Sequence, residues 1–221
     1  MGDTKPFGGT VDQLNAATTN EISYQGDDGQ PEQPASQQFA TRRIAPLAPA
    51  HAAPASRALL DQIHGALGAT PAMFRTVAHS PTALKALWNL FGTLGTGTLT
   101  ARLGEQIAIA VADANRCSYC LSAHTALGRN AGLSDAELAA AQRGDSAEAA
   151  SSAALRFALK VVAQRGQVED ADVAALRAAG FADAQIVEIL AHVALNLFTN
   201  YVNVALGVEV DFPPVALSRA A

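Results

Sequence analysis

Cysteine is scarce in this chain. Its 221 residues hold two, Cys117 and Cys120, three positions apart with no other thiol to pair with. That excludes a disulfide scaffold, because a bridge between near neighbours closes almost no loop. Aromatic residues are also few, 5% against a hydrophobic fraction of 49%. The core must therefore be built from Ala, Leu, Val and Ile, and Ala and Leu favour helix. Positive charge is lacking too. The 15 Lys and Arg are scattered and the net charge is -5, so there is no basic face for a polyanion and nucleic acid is not expected as a partner. No apolar h-region follows Met1, so no secretory signal is expected. Of the two most apolar stretches, Gln106–Ala112 is too short to span a bilayer, and Ile186–Phe198 is interrupted by Glu188 and His192; no membrane partner is expected. These absences describe a cytoplasmic protein of a reducing compartment, where a close cysteine pair means redox or metal chemistry.

What is present is helical punctuation. Residues 1–43 are rich in Gly, Gln, Asp, Asn, Thr and Pro and read as a disordered or loosely packed tail, with the helical domain following over 44–221. Short extended pieces are expected at Ile22–Tyr24 and Gly207–Phe212, and nothing else alternates like a strand. Ser56 is positioned to cap a helix ending at Gly68. Further helices are expected over Pro71–His79, from Ser80-Pro81 to about Gly92, and over Leu103–Ala114, Cys117–Asn130, Ala149–Arg165, Asp170–Ala179 and Asp183–Leu206. One device occurs twice: Ala131-Gly132-Leu133 resembles Ala179-Gly180-Phe181. In each, glycine can end a helix left-handed and a polar cap can start the next, with Ser134 and Glu137 spaced as a capping box.

Cys117-Ser118-Tyr119-Cys120-Leu121-Ser122-Ala123-His124 follows directly on the break at Asn115-Arg116. On a helix, Cys117, Cys120 and His124 fall within roughly 60° of arc, so two thiols and an imidazole share one stripe. The pair sits at the helix start, where free N–H groups and the dipole favour a thiolate, and Arg116 adds positive charge. His124 can take a thiol proton or hold a thiolate as an ion pair. Glu105 lies in a helix that is apolar nearly all round, so it needs a specific partner or a raised pKa, which is what a general base requires. If the two helices fold back through the Asn115 turn, Glu105 approaches His124. A plainer reading pairs Glu105 with Arg102 or Arg116. On the last helix, Glu188 and His192 are spaced i, i+4, and Asn196, Asn200 and Asn203 continue a polar stripe. The preferred reading of that stripe is a polar seam at a subunit contact, the alternative being the far wall of a pocket. His51 and His64 read as surface residues, His79 as a helix-end residue, and Trp88 and Phe91 as core or pocket wall.

Glu105, eleven residues, then Cys-x-x-Cys-x-x-x-His resembles the alkylhydroperoxidase (AhpD-like) family and the wider carboxymuconolactone decarboxylase-like superfamily, most strongly over about residues 56–212. The resemblance implies an all-α, AhpD-like domain. It implies that Cys120 attacks a hydroperoxide, that Cys117 resolves the sulfenic acid to a disulfide, and that Glu105 and His124 relay the proton. It also implies a homo-oligomer, a trimer or a multiple of one, and an external dithiol of the thioredoxin or lipoyl type as reductant. AhpD carries a histidine where this chain has Tyr119. The decarboxylase branch lacks the cysteine pair, so lactone decarboxylation is not expected.

Alternatives stay open at this level. The cysteines could be inert core residues, or zinc ligands, though three ligands from one helix leave a tetrahedral site incomplete. The function could be general thiol–disulfide exchange or redox sensing, or non-enzymatic binding through the tail. No nucleotide-binding or haem-attachment motif is present, so no cofactor is expected and electrons must come from another molecule.

Overall fold

The computed structural model describes residues 42–218, and among these the regular structure is helical throughout. The helices are α1 (Pro54–Leu67), α2 (Ala72–Val77), α3 (Pro81–Leu94), α4 (Ala101–Ala114), α5 (Ser118–Asn130), α6 (Asp135–Gln142), α7 (Ala149–Gln164), α8 (Asp170–Ala178) and α9 (Asp183–Leu206), with a single 3-10 turn at Pro49–His51 before them. The all-α expectation holds. The tail expected over 1–43 and the extended piece at Ile22–Tyr24 lie outside the described residues, except for Arg42 and Arg43. Arg43 is fastened to the end of α9, its amide donating to the Leu206 carbonyl at 2.9 Å and its guanidinium to Ala205 at 2.9 Å, and Arg42 pairs with Glu209 just beyond that helix.

Helix α4 is the hub. It packs against α5, α6, α7 and α9. Ile107, Ile109, Val111 and Ala112 are fully buried on it, which is how a helix apolar nearly all round comes to rest in the centre of a domain. Leu121, Leu155, Leu176, Ile189 and Val193 meet it or its neighbours in the same core. Helix α9 is long and apolar enough to cross a bilayer by length and composition alone. Here it lies across α3, α4, α5 and α7 and turns its asparagines into the protein.

The glycine corners form as the sequence predicts, but a polar side-chain cap follows only the first, since the helix after the second has Ala182 at its cap position, whose side chain caps nothing. Gly132 (φ 85°) and Gly180 (φ 96°) are left-handed. The Leu133 amide reaches back to the Gly128 carbonyl at 2.9 Å and the Phe181 amide to Leu176 at 3.1 Å, so both corners close in the same way. The Ser134–Glu137 capping box is complete. Two further expectations are corrected. Helix α1 starts two residues before Ser56, with Pro54 in its first turn; Ser56 is buried and donates instead to the Ala78 carbonyl at 2.7 Å, tying α1 to the end of α2. Gly207–Phe212 is not a strand, because among the described residues there is no strand to pair with it. The segment after α9 is an irregular strap whose bonds go to side chains and a helix start. Asp211 accepts from the Ala72 amide at 2.6 Å, the Val215 amide donates to Ser122 Oγ at 3.0 Å, and the Ser218 amide to Asp113 at 2.8 Å.

Candidate active site

The corner between α4 and α5 builds the site. The Cys117 amide donates to the Ala112 carbonyl at 2.9 Å and the Arg116 amide to Asp113 at 3.0 Å, the double closure of a helix that ends left-handed. The left-handed residue is Arg116, φ 57°, rather than glycine, which costs about 1 kcal/mol. The corner is so tight that the residue closing α4 also caps α5. Cys117 is that residue, and its sulfur accepts from the Cys120 amide at 3.2 Å. Arg116 does not supply charge to the thiols. It is exposed and its guanidinium donates to the Ser218 carbonyl.

Because α4 and α5 run antiparallel through this corner, Glu105 and His124 meet. His124 Nδ1 and Glu105 Oε2 are 2.8 Å apart, with side chains 12% and 13% exposed. The alternative partners of Glu105 are engaged elsewhere: Arg102 with Glu137 and the Gly132 carbonyl, Arg116 with the strap. Burial alone would lower the His124 pKa, but the charge and hydrogen bond of Glu105 outweigh it and raise the value, with Cys120 adding to the rise. Glu105 thus favours the charged form of His124, beside Cys120.

Both cysteines are free and buried, yet their environments differ. Burial pushes the Cys120 thiol up; the hydrogen bond from Cys117, the charge of His124 and the amides of Asn203 and Asn200 overcome this and bring it down to about 7. Cys117 moves the other way, raised far above the ordinary thiol range first by its hydrogen bond to Cys120 and then by burial. Two titrating groups driven apart in this way are poised as an ionised sulfur and its protonated neighbour.

Cys120 and His124 line a cavity of about 420 Å³, and Cys117 does not. The cavity walls are mainly apolar, with Met73, Phe74, Phe91, Leu127 and Phe212 among them. Phe74 stands edge-on to Trp88 with ring centroids 5.9 Å apart, so Trp88 supports the wall from behind. Tyr119 is buried in the same wall. Its hydroxyl accepts from the Met73 amide at 3.2 Å and its ring stands edge-on to Phe212, centroids 5.6 Å apart. Burial first, then the nearby Asp211 carboxylate, hold its phenol protonated well above the usual range. A second cavity, about 90 Å³, lies on the far side of His124 and is bounded by Glu105, Gly104, His192 and Asn196.

The polar stripe of α9 is not a subunit seam. Asn196, Asn200 and Asn203 are 3%, 0% and 3% exposed within the single chain. Asn203 donates from Nδ2 to Cys120 Sγ at 3.1 Å, and Asn196 borders the smaller cavity. Glu188 is not engaged with His192 by a hydrogen bond; it accepts from the Thr98 amide and hydroxyl and the Leu99 amide, clamping the loop before α4. His51 and His64 are exposed, and His79, at the end of α2, meets the Ala45 carbonyl at 2.9 Å. Sequence reading overlooked the strap residues Asp211, Phe212 and Pro213 and the α2 residues Met73 and Phe74, which wall the cavity. No local pattern marks them, since they reach the site only through chain reversal. Among the described residues, no group of three or more His, Cys, Asp or Glu is arranged to hold a metal ion.

This geometry has relatives. The model of the carboxymuconolactone decarboxylase family matches residues 81–164, which contain Glu105, both cysteines and His124. A peroxidase-related protein from Ralstonia eutropha JMP134, solved as an alkylhydroperoxidase AhpD core, is 27% identical over 77% of this chain and 92% of its own, with a TM-score of 0.70. A peroxidase-related protein from Silicibacter sp. TM1040 is 26% identical over 79% and 94%, TM-score 0.66. The debrominase Bmp8, 22% identical over 76% and 91%, shares the fold at a TM-score of 0.66. No curated protein sequence matches the chain. The helical core, the motif from Glu105 to His124 and these likenesses agree in supporting an AhpD-like, carboxymuconolactone decarboxylase-like superfamily for this chain.

Proposed function

We propose that the protein is a thiol-dependent peroxidase that reduces organic hydroperoxides through a Cys117–Cys120 dithiol/disulfide cycle. One observation carries this reading: Cys120 lies at an apolar cavity beside a Glu105–His124 pair 2.8 Å apart, while Cys117 sits next to it outside the cavity. The substrate meets one sulfur and the second waits behind it.

The Cys120 thiolate attacks the terminal oxygen of R–O–OH. The S–O bond forms, the O–O bond breaks, and the departing alkoxide takes the proton of the His124 imidazolium to leave as the alcohol. Glu105 holds that imidazolium in place and favours its charge. The Cys117 thiol then attacks the sulfenic sulfur. The S–S bond forms, the S–O bond breaks, and the leaving hydroxide carries off the Cys117 proton as water. The dithiol loses two electrons and the peroxide gains two. An external dithiol, of the thioredoxin or lipoyl type, returns the pair to the reduced state. Working partners are therefore a hydroperoxide, a dithiol reductant and further copies of the chain.

The test is stoichiometric peroxide titration of the reduced protein with mass spectrometry of the peptide containing both cysteines. The expected result is loss of two hydrogens per chain, with peroxide consumption abolished in Cys120→Ser. Full consumption by Cys120→Ser overturns the reading. General thiol–disulfide exchange shares both thiols but does not need the cavity; it is favoured if a small disulfide oxidises the pair much faster than an organic hydroperoxide does. Binding through the tail is favoured if deleting residues 1–40 abolishes the cellular role while Cys117→Ala does not.

A further inference from the structure

Helix α9 carries Asn200 and Asn203 one turn apart, both buried, and both amides help to hold the Cys120 thiol down. The Nδ2 of Asn203 is 3.1 Å from Cys120 Sγ, and Asn203 also borders the substrate cavity. Asn200 is oriented from the other side: its Oδ1 accepts from Asn115 Nδ2 at 3.0 Å. That bond turns the Asn200 Nδ2 away from Asn115, and among the described residues this buried Nδ2 has no acceptor in full hydrogen-bond geometry. An orphaned buried donor needs an explanation. A neutral thiol is a weak acceptor and a thiolate a strong one. An idle donor beside a sulfur therefore gains its partner when the sulfur ionises.

We propose that Asn203 and Asn200 form a carboxamide cradle for the Cys120 thiolate, with Asn203 a catalytic residue in contact with the reacting sulfur and Asn115 a positioning residue that aims Asn200. The cradle rests on the dithiol chemistry proposed above. It gives the reaction two fixed dipoles that need no reorganisation when charge appears on sulfur. The same amides carry no charge of their own, so they add to the effect of His124 and leave no charge behind when Cys120 becomes a neutral sulfenic acid or disulfide. Asn115 belongs to the corner that also ends in Cys117, so that corner sets the second thiol and the cradle together.

The experiment is a pH titration of thiolate absorbance near 240 nm, made in a Cys117→Ser background so that one sulfur is read and serine keeps the helix cap. Asn203→Leu and Asn200→Leu keep side-chain volume and remove the donors. Each is expected to move the midpoint up by about one pH unit, roughly a tenfold loss of thiolate at neutral pH, with Asn115→Ala shifting it less. Alkylation of Cys120 well above the midpoint is expected to keep the reference rate, which a generally disordered site would not do. Asn203→Asp serves if the leucine variant does not fold, and places a like charge by the sulfur, so its midpoint rises further. An unchanged midpoint in the Asn203 variants overturns the cradle. Failure of the wild-type protein to react with peroxide would sink the peroxidase reading and leave this titration fully interpretable.

Discussion

At the residue scale the decisive contact is between Glu105 and His124, each mostly buried and 2.8 Å from the other. A buried carboxylate or imidazolium alone would be costly. Paired, they keep a proton next to Cys120. The consequences for pH can be signed. Cys120 lies at about 7, below its ordinary 9.0, so its ionisation stabilises the fold as pH rises above about 7, and that contribution is lost as pH falls through it. The raised His124 acts oppositely, stabilising at pH below its ordinary 6.5 and losing that contribution as pH rises through its folded value. The two contributions therefore run in opposite directions with pH. Reactivity, in contrast, should rise with pH around a midpoint near 7. Glu105→Gln removes the charge that raises His124, the imidazolium is lost, and the midpoint for Cys120 moves towards 9.0. A pH–rate profile checks both statements; a Glu105→Gln profile superimposed on that of the wild type would contradict them.

At the element scale, most helix limits were readable because their signals are local. Gly68, Gly132 and Gly180 stop helices by left-handed geometry, and Ser80, Thr100 and Ser134 start them through side-chain caps. Ser134→Ala removes one such cap and should cost about 1 kcal/mol, seen as a lower denaturant midpoint with an unchanged slope; no change in midpoint would show that the packing of Leu133 and Leu138 alone fixes α6. Ser56 shows the limit of such signals. It has the right identity for a cap, yet Pro54 starts the helix earlier and the hydroxyl serves a buried tie to Ala78. Cys117 shows the converse. Cysteine is not a favoured cap, and only the closure at Arg116 places it there.

At the scale of the whole molecule, α9 has two faces. Its asparagines point to the core, and Val187, Leu190, Phe198, Tyr201 and Val204 recur at helical spacing on the exposed side. If the chain associates with a second copy, as proposed above, this apolar strip is the surface such a contact would cover. Phe198→Glu combined with Tyr201→Glu should yield monomers by sedimentation while the Cys120 titration stays unchanged. Assembly of the double variant as in the wild type would move the contact elsewhere.

The sequence by itself determined the helical class, most helix ends, and the grouping of Cys117, Cys120 and His124 on one stripe, because propensity, capping and the 3.6-residue period act over short distances. It also placed Glu105 in a buried helix. Only the tertiary structure decided what Glu105 pairs with, that Cys120 rather than Cys117 meets the cavity, that α9 turns Asn203 onto the Cys120 sulfur, and that the strap of Asp211 and Phe212 closes the wall around Tyr119. Those contacts join residues up to 139 positions apart, and their geometry depends on how whole helices pack, which no short stretch of sequence encodes.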